Sequence, residues 1–159
     1  MRLFWSAVFA AALSFSVGCQ SSAPPVVDKP EHDHPTVGPH KGELIELGKE
    51  EFHAELVHND ETHTISIYLL DDHAKEAVAT DAKEVVVKLV VGGEPKEFIV
   101  PAKPQAGDAE GKTTLFELVD EPLCKALDDG AKGRLNISVN GKDFVGEIEK
   151  HDHEHGHKH

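Results

Sequence analysis

The last nine residues read His151-Asp152-His153-Glu154-His155-Gly156-His157-Lys158-His159, with an imidazole at every second position. Neutral imidazole is the commonest protein ligand for zinc, copper and nickel, and carboxylates can complete such a site. Two-residue spacing on a flexible chain lets several imidazoles close on one ion, and Asp152 and Glu154 add negative charge that favours a cation. No fold holds these ligands in place, so binding is expected to be moderate in affinity and poor in selectivity. The alternative reading is a solvated polar tail without a role. An added affinity tag would normally show consecutive histidines, without the interleaved Asp, Glu and Gly.

Twelve histidines fall into three groups along the chain. Upstream, His32-Asp33-His34 repeats the chemistry of the tail, and His40 follows where a linker meets the first strand, as a fixed ligand or a surface residue. Between these segments lie His53, His58, His63 and His73. A four-residue loop over 59–62 would place His58 opposite His63, Leu56 opposite Ile65, Ala54 opposite Ile67 and Phe52 opposite Leu69, all with one facing. The His58–His63 pair could then share a metal or cap the open end of the core. In the same register His53 lies on the other face, opposite Tyr68, as a partly exposed residue. His73 follows Asp71-Asp72 in a turn, where a solvated loop is the plainer reading.

Soft-ligand chemistry has little support. Met1 is the single methionine, and Cys124 lies on a short amphipathic stretch with Leu123 and Leu127, which suits an inert, half-buried thiol better than a copper ligand. Motifs for a zinc protease helix, a nucleophile elbow, a dithiol redox site and a phosphate-cradling loop are absent from the sequence. The many carboxylates read as an outward, solvated face. The expectation is a protein that is not an enzyme.

The elements that would position these groups begin with a leader. Arg2 is followed by an apolar run from Leu3 to Val17 and then Gly18-Cys19. This is the layout of a secretory signal over 1–18, too short for a membrane-spanning helix. Ser16-Val17-Gly18-Cys19 looks like a lipoprotein processing site, with Cys19 the acylated residue; Ser16 stands where leucine is usual, which keeps ordinary signal cleavage as an alternative. With Cys19 acylated, Cys124 would be alone and no internal disulfide could form. Residues 19–41 read as a Pro/His-rich tether, holding five of the nine prolines.

From 42 to 150 the pattern becomes short period-two runs, which predict strands. Seven or so are visible, around Phe52–Val57, Thr64–Leu69, Val85–Val91, Phe98–Val100, Thr113–Val119, Leu135–Val139 and Phe144–Ile148. Asn140-Gly141 and Gly92-Gly93 predict tight hairpins. A helix is expected over Pro122–Asp128, with Asp120 or Glu121 at its start and Gly130 after its end. The fold class that follows is all-β: an antiparallel, immunoglobulin-like β-sandwich with one short helix, framed by disordered tails, a small barrel being the alternative. Charge narrows the partners. The 29 acidic against 16 basic residues give a net charge of −13, which repels phosphate backbones and argues against nucleic acid.

Gly38-Pro39-His40-Lys41-Gly42-Glu43, followed by Phe52-His53-Ala54-Glu55-Leu56-Val57 and Ile67-Tyr68-Leu69-Leu70-Asp71, resembles a group of small secreted bacterial proteins. Their folded region opens with a His-Gly-Gly-type motif and continues as short strands. The same segments are similar to parts of the periplasmic adaptor subunits of heavy-metal efflux pumps. The resemblance covers about residues 38–149, with Lys41 in place of the first glycine of the motif. It implies an envelope location, a link to metals, and His40 and His53 as the domain residues of interest. The expected function is an envelope lipoprotein, periplasmic or membrane-anchored, that binds or buffers zinc, copper or nickel. It would serve an envelope transport protein for metal efflux or uptake. The alternative is a non-enzymatic interaction module in which the histidines are incidental.

Overall fold

In the computed structural model the described residues are 35–149; the leader, Cys19, His32, His34 and the tail from His151 to His159 lie outside them. Two four-stranded antiparallel sheets face each other across an apolar core. The strands are β1 (Glu43–Leu47), β2 (Phe52–Asn59), β3 (Thr64–Leu70), β4 (Glu84–Val91), β5 (Glu94–Pro101), β6 (Leu115–Val119), β7 (Gly133–Val139) and β8 (Lys142–Ile148), with the helix α1 (Glu121–Asp128) between β6 and β7.

The two-layer, all-β sandwich with one short helix is the architecture that the periodicity predicts. Its strand order is β1-β2-β3-β6 in one sheet and β5-β4-β7-β8 in the other. The constant-type immunoglobulin order would instead place the first, second, fifth and fourth strands together. The chain beyond β5 bridges to β6, Lys103 N donating to the Leu115 carbonyl at 2.8 Å. At the opposite edge β1 adjoins β8, where a Cβ on Gly146 would run into the Ile45 side chain. Both edges are therefore partly covered, which limits strand-to-strand association with other chains.

Local chemistry explains most elements. Asn140 and Gly141 have φ of 53° and 76°, and Gly92 and Gly93 have 63° and 86°. These are the positive values that a two-residue type I′ hairpin turn requires, so β7–β8 and β4–β5 close as expected. Val85, Val87 and Leu89 in β4 interleave with Leu135, Ile137 and Val139 in β7 and with Phe144 and Ile148 in β8, all on the inner face. Phe116, Ile65, Ile67, Leu69, Leu56 and Ile45 supply the facing layer. In α1 the Asp120 carboxylate caps the Leu123 amide at 2.7 Å, Pro122 occupies the first turn, and Gly130 with φ 71° ends the helix. Its buried face carries Leu123, Cys124, Ala126 and Leu127.

Two expectations need correction. The strand β1 was not among the predicted runs, because five residues with a single Ile–Leu alternation give a weak signal. The β2–β3 register also differs: Leu56 pairs with Ile67, Ala54 with Leu69, His53 with Leu70 and His58 with Ile65. The cause is the turn. His63 takes φ 52° and belongs to the loop, where Asn59 Oδ1 accepts the Thr62 amide at 2.9 Å. A slip of two residues preserves the facing of every side chain but changes every partner. His58 and His63 are therefore not a cross-strand pair.

Candidate functional site

The outer face of the first sheet is covered at β2, and a buried carboxylate lies beneath the cover. Across the strands runs the row Leu44–Glu55–Tyr68–Leu115. Glu55 is fully buried, which corrects the expectation that the carboxylates form a solvated face. A carboxylate out of water must be paired or hydrogen-bonded, and residues 38–42 supply what it needs. Its Oε1 accepts the His40 amide at 2.6 Å and the Gly42 amide at 2.9 Å, while Oε2 meets His40 Nδ1 at 2.7 Å.

The segment reaches this position through a tight hairpin. Gly38 N donates to the Gly42 carbonyl at 2.9 Å, Lys41 N donates to the Gly38 carbonyl at 3.0 Å, and Val37 bridges to Glu43. A Cβ on Gly38 would overlap the Glu55 carboxyl group, and one on Gly42 would lie 2.5 Å from the Leu56 carbonyl. Both glycines are there because backbone must approach β2 closely. Lys41 holds φ 66°, in the left-handed region that glycine favours. Lys41→Gly is accordingly expected to raise stability by about 0.5–1 kcal/mol, the relieved strain exceeding the added chain entropy. Urea unfolding of the two proteins checks the sign.

His40 is stacked on Tyr68, with ring centroids 3.8 Å apart and planes 8° from parallel. Its side chain remains 44% exposed while the carboxylate beneath it is 0% exposed. An ionised carboxylate only accepts, so Nδ1 carries the proton of this bond and Nε2 is the remaining nitrogen. A carboxylate on one nitrogen of an imidazole is the arrangement that orients metal-ligating histidines.

His53 is buried, contrary to the expected half-exposure, with Nδ1 3.0 Å from the Asp71 carbonyl. The loop after β3 covers it. Asp71 Oδ1 ties that loop by accepting the Lys75 and Glu76 amides at 2.8 and 3.1 Å, bonds that hold its carboxyl below the usual carboxylate range. His73 is exposed in the same loop, as its solvated reading predicts. His63 is half-buried, and its carbonyl accepts the Asp120 amide at 2.9 Å.

A second group lies where the β2–β3 turn meets the end of α1. His58 Nε2 is 2.9 Å from Asp128 Oδ1 and 3.8 Å from Asp60 Oδ1. Ligand atoms of the three residues all lie within 4.8 Å of one another. Below them the Cys124 thiol, 1% exposed, is placed to donate to Asp60 Oδ1 at 3.5 Å and to the Asn59 carbonyl at 3.7 Å. Burial pushes that thiol up to about 11, and the Asp60 and Asp128 carboxylates add to the shift. The half-buried inert thiol of the sequence reading is more deeply buried than expected. Iodoacetamide at pH 8 should modify Cys124 at least about 100-fold more slowly in the native protein than in the urea-unfolded chain. Equal rates, followed by mass spectrometry, would contradict the burial.

Among the predicted site residues, His40, His53 and His58 are each held by a specific partner, but in separate places. Three residues important to these groups were missed: Glu55, Asp60 and Asp128. Glu55 lies inside the quoted Phe52–Val57 segment, the one available hint. No spacing rule would bring Asp128 to His58, seventy positions away.

In comparisons with known proteins, no family model, no curated protein and no solved structure matches this chain.

Proposed function

We propose that this protein is an envelope lipoprotein, anchored through Cys19, that binds or buffers divalent zinc, copper or nickel through its histidine-rich segments. It would act as an accessory to a metal efflux or uptake system, in keeping with the resemblance to the adaptor subunits of heavy-metal pumps. The observation that carries this reading is the Glu55–His40 pair. A buried carboxylate fixes one nitrogen of a half-exposed imidazole, at the point where the tether with His32 and His34 joins the domain. Further imidazoles could complete a site around one that is already oriented. Binding of zinc or copper in the submillimolar range by the full chain is the expected result of a calorimetric titration. Absence of binding would sink the proposal.

A second reading has one observation of its own. Ile99, Val86, Asn136 and Val145 form a row across the outer face of the second sheet, with Ile99 51% and Val145 48% exposed. An interaction module that docks on another envelope protein would use such a row. A chain that binds no metal but loses a membrane-fraction crosslink on Ile99→Lys would favour it.

A further inference from the structure

We infer that His58, Asp60 and Asp128 form a second, preformed metal site in the folded domain, suited to a zinc-class divalent ion and separate from the histidine-rich segments. It deepens the metal-binding reading by adding a site whose ligands are positioned by the fold. The three residues come from different elements: His58 from the end of β2, Asp60 from the β2–β3 turn, and Asp128 from the last turn of α1. Folding alone brings them together.

The distances suit a small ion. Zinc bonds nitrogen and oxygen at about 2.0–2.2 Å in a tetrahedron, so its ligand atoms sit about 3.3 Å apart. The observed separations from His58 Nε2, 2.9 Å and 3.8 Å, bracket that value. All three ligand atoms lie within 4.8 Å of one another, so closing on an ion needs relative side-chain shifts of at most about 1.5 Å. One imidazole with two carboxylates leaves a fourth position for water, the pattern of an open site. The larger, harder calcium ion would want six or more oxygens.

The local field also calls for a cation. Asp128 lies in the final turn of α1, where the exposed carbonyl ends already carry partial negative charge and disfavour a carboxylate. Lys125 reaches Asp129 at 3.2 Å, so the neighbouring carboxylate has its ammonium while Asp128 turns to His58.

Thermal unfolding with and without zinc separates this site from the histidine-rich segments. Ligands on a tail bind zinc equally in the folded and unfolded chain and leave Tm unchanged, whereas a site assembled by folding stabilises the native state. The full chain should gain about 5–10 °C at zinc a hundredfold above Kd. The gain should be clearly reduced in both His58→Gln and Asp128→Asn, each compared with its own metal-free Tm, what remains belonging to His40. Calorimetric binding without any Tm gain, or a gain in both variants as large as that of the unaltered chain, would overturn the site while leaving the histidine-rich segments as binders. No calorimetric binding at all would overturn both.

Discussion

Glu55→Ala is expected to destabilise the domain by about 3–5 kcal/mol, the largest effect of any single polar substitution in the described residues. Three donors converge on this carboxylate: the His40 and Gly42 amides and His40 Nδ1. Removing it orphans all three beneath the covering segment. Each unsatisfied buried donor costs about 1–3 kcal/mol, and the segment can recover part of this only by lifting off β2 into water. The substitution should therefore also open residues 36–42, seen as rapid hydrogen exchange at the His40 and Gly42 amides. Glu55→Gln is the milder control. Its amide oxygen can still accept both backbone amides, and His40 can change tautomer to accept from the new amino group. A loss of about 1 kcal/mol is expected there. Urea unfolding measures both; a loss below about 1 kcal/mol for the alanine variant would show that the buried carboxylate does not hold the segment.

What could be read from the sequence was local. The Asn140-Gly141 turn, the alternation of β7 and β8, and the Asp120 cap with its Gly130 stop each depend on residues within a few positions of one another. The β2–β3 hairpin was legible in its facing but not in its partners, because the left-handed conformation of His63 is decided by the loop and not by hydrophobic pattern. The candidate sites were the least legible. In β2, the burial of His53 and Glu55 depends on two covering segments, 36–42 and 71–78, that approach from elsewhere in the chain. An alternating strand with Glu outward looks the same whether water or a backbone hairpin lies above it. The Asp128 contact of His58 likewise exists only once α1 has docked on the first sheet.

The second large effect concerns metal capacity. Five of the twelve histidines lie between 151 and 159, so deleting these residues should remove most of the bound metal. His32→Ala with His34→Ala should remove a smaller share. The ordinary imidazole value is about 6.5. Protons then compete with metal for the same nitrogens, and binding should fall steeply as pH drops from about 7 to about 5.5. The sites held by the domain, at His40 and at His58, should account for the metal that remains after truncation.

Calorimetric zinc titration of the full chain and of the chain lacking 151–159, each at both pH values, tests the account most directly. The account predicts several zinc ions per full chain at the higher pH, a minority retained on truncation, and a steep loss for both proteins at the lower pH. Equal stoichiometry in the two proteins, or binding indifferent to pH, would contradict it, because the histidines would then not be the ligands.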